Sequence, residues 1–151
     1  MKNDRIDKLI EIIASIPPIM HRKLHRDVFK FALEQVNADF APHHVMIMKA
    51  LQESGVANSS EISEMIAIAK PQMTHSVDKL IELGLVEREH DNVDRRKINI
   101  KLTQKGHDTL DRMGAIVQQR MKARLSNLSD DELEKLTEAF QYISDKFLEL
   151  G

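Results

Sequence analysis

Apolar residues recur with a helical period at the N-terminal end of the chain. The stripe consists of Ile6, Leu9, Ile10, Ile13 and Ile16. Spacings of three and four residues are typical of an amphipathic helix. Pro17-Pro18 interrupts the stripe, and proline disfavours helical geometry in the residue before it. We therefore expect a short first helix to end there and a second helix to run from Pro18 to about Val36.

The C-terminal end also has a helical pattern. Thr103 can cap a long helix, and Ser129 with Glu132 has the spacing of a capping box for another. The apolar residues after that box follow a 3-4-3-4 spacing: Leu133, Leu136, Phe140, Ile143 and Phe147. Such a seam indicates a helix that packs on another helix.

The middle of the chain predicts a helix-turn-helix. Pro42 can start one helix, which Gly55 ends, and Ser59-Ser60 can cap a short second one. Pro71 suits the first position of a third helix because its missing N–H needs no partner there. Gly84 is a natural stop for that helix.

Two short strands and a charged turn follow this helical region. Residues 85–89 read as a strand, and residues 97–102 alternate strictly between polar and apolar side chains. The order helix, turn, helix, strand, basic turn, strand is that of a winged helix-turn-helix. We predict a mainly α fold with a small β-wing in a single domain, 1–151. The winged region spans 40–104, and the helical regions 1–36 and 107–151 form a dimerisation body.

The third helix and the wing supply candidate contacts to double-stranded DNA. Gln can pair with adenine, and Ser or Thr can reach several base edges or a phosphate. Residues at helix starts can bind phosphate through side chains and free N–H groups. We expect Asp78 and Glu82 to face away from DNA. The candidate set is Ser59, Ser60, Lys70, Pro71, Gln72, Thr74, His75, Ser76, Lys79, Arg88, Asp94, Arg95, Arg96 and Lys97.

The ordered motifs of this region resemble those of the MarR family of bacterial and archaeal transcription regulators. They are Leu83-Gly84-Leu85-Val86-Glu87-Arg88, Asp94-Arg95-Arg96 and Leu102-Thr103-Gln104-Lys105-Gly106. The resemblance implies a homodimer that binds a pseudo-palindromic operator, with repression as the expected mode. It implies that Arg95 enters the minor groove. It also implies that Asp94 braces a wing arginine, for which Arg96 is a candidate, with a phosphate contact as the other role open to Arg96.

The charge distribution agrees with DNA binding only locally. The net charge is −2, but residues 70–107 carry eight Lys/Arg against six Asp/Glu, whereas residues 126–151 carry two against seven. Local charge governs attraction to phosphate within a Debye length of about 10 Å. We therefore expect appreciable affinity from a dimer and a steep dependence on salt.

Composition excludes several other classes of function. The chain has no cysteine, so disulfides and thiol chemistry are excluded. We see no secretory signal, no stretch long enough to span a membrane, and no phosphate-binding glycine loop or catalytic motif. We expect a cytoplasmic protein that is not an enzyme and needs no cofactor.

Histidines and methionines leave two alternatives open. His21 and His25 lie four residues apart and His43-His44 follow later, so a zinc-responsive regulator of the same fold is one alternative. We assign no metal site, because ordinary surface or pocket histidines explain the pattern more simply. By resemblance, a pocket for a small-molecule effector would involve His21, His25, Met46 and Met48. A winged-helix adaptor that binds protein instead of DNA is a further alternative, which the basic wing tip disfavours.

Overall fold

The computed structural model describes residues 1–36, Asp39 and residues 41–150. The predicted start of the winged region at residue 40 and the predicted chain end at residue 151 lie outside these residues. The described chain forms two compact units. We call residues 29–116 the central unit, and residues 1–28 together with 117–151 the terminal unit.

The fold is mainly helical with a three-stranded antiparallel sheet, as the sequence predicts. The helices are α1 (Lys2–Met20), α2 (Arg26–Gln35), α3 (Pro42–Ser54), α4 (Ser59–Ile66), α5 (Lys70–Glu82), α6 (Gln104–Leu125) and α7 (Asp130–Leu150). The strands are β1 (Val56–Ala57), β2 (Val86–His90) and β3 (Ile98–Leu102), in the sheet order β1-β3-β2. β1 was not predicted, because two residues carry too little pattern to be recognised as a strand.

The prediction that the first helix ends at Pro17-Pro18 is wrong. α1 continues through both prolines to Met20, and a π-helical turn, His21–His25, joins it to α2. Proline fixes φ near −65°, which is a helical value, so the two prolines remove N–H donors without forcing the chain out of the helix. The wider turn at His21–His25 follows directly and is a usual device for absorbing irregularity in a long helix.

The prediction that Ser59-Ser60 caps the short helix is also wrong. Asn58 is the N-cap of α4: its side-chain oxygen accepts the N–H of Glu61 at 3.0 Å, and the Glu61 carboxylate accepts the N–H of Asn58 at 2.9 Å. Ser59 and Ser60 are the first two residues of the helix. The capping box at Ser129 and Glu132 is confirmed, with reciprocal hydrogen bonds of 2.8 and 3.3 Å.

The core of the central unit joins the helix-turn-helix to the sheet. Side chains from α3, α4, α5 and β3 are almost fully excluded from solvent, namely Ile47, Met48, Leu51, Ile62, Met73, Val77, Leu80 and Ile100. Gly84 adopts φ +71°, a left-handed value that glycine reaches without strain, and so ends α5 at the turn into β2.

The motif at residues 102–106 holds α5, β2 and α6 together. The Thr103 hydroxyl donates to the Gly84 carbonyl at 2.6 Å and accepts the N–H of Gly106 at 3.1 Å, so Thr103 caps α6 as predicted. The Lys105 Nζ donates to the Leu83 carbonyl at 2.7 Å. Gly106 lies against the backbone of Leu85. These contacts fix the end of α5 relative to the start of the wing.

The terminal unit buries little of its apolar surface. Neither α1 nor α7 contains a buried residue. Within this unit, Arg124 near the end of α6 donates hydrogen bonds to the Lys23 carbonyl and to the Asp27 carboxylate. Among the described residues, no helix is both long enough and apolar enough to cross a membrane.

Candidate nucleic-acid interface

The exposed side of α5 carries most of the predicted base-reading residues. Pro71, Gln72, Thr74 and His75 are exposed. The buried side is a stripe of Met73, Val77 and Leu80, which fits the helix to the core and turns the polar residues outward.

The structure contradicts the prediction that Ser76 belongs to this outward face. Ser76 has 0% relative exposure, and its hydroxyl has no hydrogen-bond partner among the described residues. It lies three residues after Met73 and four before Leu80, which places it on the buried stripe. The same spacing argument applied to the sequence would have excluded Ser76.

Lys79 lies at the edge of the exposed side and is paired within the chain. Its Nζ lies 3.1 Å from the Asp39 carboxylate, and its side chain is 29% exposed. Lys70 is exposed in the first turn of α5, one residue before Pro71. Ser59 is half-buried and Ser60 is exposed at the start of α4. The positions of these residues are compatible with phosphate contacts, which stay a prediction.

The wing tip between β2 and β3 is built on two aspartates. The Asp91 carboxylate accepts the N–H groups of Val93 and Asp94 at 2.8 and 2.9 Å. It also accepts a hydrogen bond from the Asn99 amide at 3.0 Å. Hydrogen bonds from the N–H groups of Asp94 and Val93 lower the pKa of Asp91, so the carboxylate stays charged and holds the turn. Sequence reasoning missed Asp91, although an aspartate two residues before a turn is a usual sign of this bonding.

Asp94 braces Arg96, which confirms one of the two expected roles of that arginine. The Asp94 Oδ1 atom lies 3.2 Å from the Arg96 Nε atom and also accepts the Arg96 N–H at 3.1 Å. Arg95 is exposed, and its guanidinium forms no hydrogen bond or ion pair with any residue that the structure describes. Its carbonyl lies 3.1 Å from the His90 Nδ1 atom. The backbone at Arg95 is thus held while its cationic end is available.

Two further cations of the wing are paired on opposite faces of the sheet. The Arg88 Nη2 atom lies 2.5 Å from the Asp78 carboxylate of α5. Lys101 pairs with Glu89 at 2.6 Å and Glu87 at 3.4 Å, and this pairing, with Glu89 as the main contributor, raises the pKa of Lys101. Lys97 is exposed beside the tip. Asp78 and Glu82 are both exposed, and exposure alone does not test the expectation that they face away from DNA.

His44 at the start of α3 has a structural role. Its Nδ1 atom accepts the N–H of Ala41 at 2.9 Å, so it acts as a helix-capping group. Burial lowers the pKa of His44 to about 4, with further contributions from the charges of His43, Lys79 and His75. His44 is therefore neutral at physiological pH, with its proton on Nε2.

The predicted effector residues are divided between the two units. Met48 is fully buried in the core of the central unit and Met46 is 49% exposed, and the role of both in an effector pocket stays a prediction. His21 and His25 are exposed residues of the terminal unit. A cavity of about 270 Å³ in the central unit is lined by Val36, Lys105, Asp108, Thr109 and Arg112. Among the residues described, no group of three or more His, Asp or Glu side chains is placed to hold a metal ion.

The geometry defines a winged helix-turn-helix with a polar reading helix and a basic wing tip. Residues 41–98 match the model of the MarR family. The winged region of this chain is therefore similar to that of the MarR family.

One sequence relative and two solved structures of similar fold illustrate the match. An uncharacterized HTH-type transcriptional regulator, YkoM from Bacillus subtilis strain 168, is 30% identical over 97 residues, which cover 64% of this chain and 63% of YkoM. Less than two thirds of that relative is therefore matched. RV1404 from Mycobacterium tuberculosis superposes with a TM-score of 0.82 at 16% identity, over 91% of this chain and 92% of that chain. A mutant of MarR from E. coli complexed with operator DNA superposes with a TM-score of 0.61 at 19% identity. The superposition covers 89% of this chain and 97% of that chain.

Proposed function

We propose that this protein is a sequence-specific regulator of transcription that binds double-stranded DNA as a homodimer at a pseudo-palindromic operator, with repression as its mode. One observation carries the proposal: a helix with an exposed polar side and a wing with an available arginine occur in the same central unit. The structure of the E. coli relative contains operator DNA, which supports the same use of the fold here.

Each part of the interface has a distinct role in this proposal. The exposed side of α5 enters the major groove, where Gln72 and Thr74 read base edges. Arg95 enters the minor groove, where a narrow groove concentrates negative potential and favours arginine without a base code. Lys70 and the first turn of α4 contact phosphates and fix the register.

The exposed apolar surface of the terminal unit supports the homodimer. Phe140 and Phe147 are 50% and 52% exposed on α7, and Leu9 and Ile10 are 55% and 57% exposed on α1. Large apolar side chains left exposed along one stripe of a helix, as on α7, are typical of an interaction site. A second copy of the chain is the occupant we propose, because a two-fold dimer presents two reading helices at half-sites about 34 Å apart.

Three other roles remain predictions. Release of DNA by a small-molecule effector follows from the family resemblance, and the cavity lined by Lys105 and Arg112 is a place to look for such a ligand. Control by zinc predicts a metal-dependent rise in the melting temperature that chelation reverses. A winged-helix adaptor predicts no salt-sensitive binding to a duplex.

Selection of bound duplexes from a random pool, at two salt concentrations, tests the proposal. We expect an enriched palindrome whose two halves lie about one helical turn apart, and much weaker binding at the higher salt. Enrichment of single half-sites would remove the dimer from the proposal. Failure to enrich any sequence would remove sequence-specific DNA binding.

A further inference from the structure

Asp78 lies on the side of α5 that the proposed function turns toward DNA. Its carboxylate is 56% exposed, and it follows Thr74 by four residues and His75 by three, so the three side chains are neighbours on the helix surface. The buried stripe of this helix lies on the other side, at Met73 and Leu80. An unpaired carboxylate at Asp78 would repel phosphates wherever α5 approaches a duplex.

Arg88 of β2 neutralises this carboxylate. The Arg88 Nη2 atom lies 2.5 Å from the Asp78 Oδ1 atom, and Asp78 is its ion-pair partner among the described residues. In the sheet, Arg88 pairs with Ile100 of β3, a residue that is 1% exposed, so its backbone is anchored in the core of the wing. The pair therefore ties an exposed position of the reading helix to a fixed position of the sheet.

The alternation of β2 separates this pair from the other charges of the wing. Side chains two residues apart in a strand share a face, so Arg88 lies on the same face as Val86. Val86 is 2% exposed, which identifies this face as the one that packs on the core. Glu87 and Glu89 lie on the opposite face, where both pair with Lys101.

We propose that Arg88 is a positioning residue for DNA binding, which holds α5 against the wing and cancels the charge of Asp78, and that it is not a phosphate contact. This inference rests on the proposed DNA binding. To reach a phosphate, the guanidinium would have to release Asp78 and leave that carboxylate exposed beside the same duplex. Arg95 has no such partner in the described chain and is free to enter a groove.

A double-mutant cycle tests the inference by fluorescence anisotropy with the selected duplex at several salt concentrations. We expect Arg88→Ala to weaken binding roughly fivefold, because it exposes one like-charged carboxylate per protomer to the duplex. In an Asp78→Asn background, the same Arg88→Ala change should have no further effect, since no carboxylate remains to be neutralised. The slope of affinity against salt should stay unchanged in both backgrounds.

A phosphate contact gives the opposite result. Arg88→Ala would then weaken binding equally in both backgrounds, and the logarithmic salt slope would fall by about one per lost contact. Either result would overturn the inference, as would full affinity of a folded Arg88→Ala protein. Lys101→Ala is the matched control: it removes one paired cation from the other face of the sheet and should change affinity less than twofold.

The wild-type protein separates failure of this inference from failure of the proposed function. If the wild type binds no duplex, the proposed DNA binding fails and the inference fails with it. If the wild type binds and only the dependence on Asp78 is missing, the inference alone fails. Circular dichroism melting of each variant confirms that the compared proteins are folded.

Discussion

The central and terminal units place similar apolar patterns in opposite environments. In the central unit, the stripe of α5 is buried, with Met73 and Leu80 both at 0% exposure. In the terminal unit, the stripe of α7 leaves Phe140 and Phe147 about half exposed. Periodicity alone does not distinguish these cases. The central unit therefore completes its own core, whereas the terminal unit leaves apolar surface exposed, which is the surface that we propose joins two copies of the chain.

Breaking the proposed partner surface should have the largest effect. Phe140→Asp combined with Phe147→Asp places four like charges in a two-fold interface, where each buried unpaired charge costs several kcal/mol. We expect a monomer by sedimentation velocity, with DNA affinity reduced more than about 100-fold because two linked contacts become one.

Tyr142→Asp is the control for this pair. Tyr142 is 66% exposed on α7 and lies off the stripe, so the same charge should leave the dimer intact. A dimer that survives both aspartates on the stripe would mean that another surface holds the copies together.

How far the sequence predicts each unit depends on whether the controlling contacts are local. Strands β2 and β3, the stop at Gly84 and the Thr103 cap were predictable, since turn residues and period-two alternation act within a few positions. The cap at Asn58 was also predictable, because Asn58 and Glu61 have capping-box spacing. Local rules failed at Pro17-Pro18, where the helix continues although the two prolines supply no N–H groups for its hydrogen bonds.

The candidate site was less predictable than the fold. Ser76 was misplaced because its polar side chain suggested an outward position, although its spacing from Met73 and Leu80 places it on the buried stripe. Two ion pairs depend on tertiary contacts between residues that are distant in the sequence or lie on different elements. They are Asp78 with Arg88 and Lys79 with Asp39. No spacing rule connects residues 40 positions apart, so the list of cations could not show which of them are already neutralised.

Substitution of two glycines of α6 tests how much the close packing at Gly106 stabilises the central unit. A Cβ at Gly106 would lie 2.1 Å from the Leu85 carbonyl oxygen, so Gly106→Ala must displace α6 or β2. We expect a loss of about 3 kcal/mol in the free energy of unfolding. Gly114→Ala meets nothing within 4 Å and should gain about 0.5–1 kcal/mol from helix propensity. Urea denaturation measures the free energy of unfolding of both variants. Equal changes would show that the close packing of the motif at 102–106 does not stabilise the central unit.

Acid should weaken the central unit through His44. Its pKa is about 4 in the folded protein and 6.5 in the unfolded chain, so the unfolded chain binds the proton first as pH falls. The stabilisation is complete above pH 6.5 and is lost between pH 6.5 and 4, by about 2–3 kcal/mol. His44→Asn can still accept the Ala41 N–H bond but cannot titrate. Its unfolding free energy should therefore depend less on pH in this window; identical profiles for both proteins would contradict the role of His44.

The wing tip should affect DNA binding without affecting either unit's stability. Arg95→Ala should weaken operator binding about tenfold, as expected for one groove contact, and leave the melting temperature unchanged. Arg95→Lys keeps the charge but loses the planar guanidinium, so its affinity for the operator should lie between those of the wild type and Arg95→Ala. Unaltered binding by a folded Arg95→Ala protein would show that the wing arginine is not a contact.

The central claim is that two copies of the chain, joined through their terminal units, present two reading helices to one duplex. Sedimentation equilibrium of the protein alone, and then with a duplex containing one full palindrome, tests this directly. We expect a protein mass of twice 17.3 kDa without DNA and two chains per duplex with it. A mass of 17.3 kDa without DNA, and one chain per full site with it, would contradict the account.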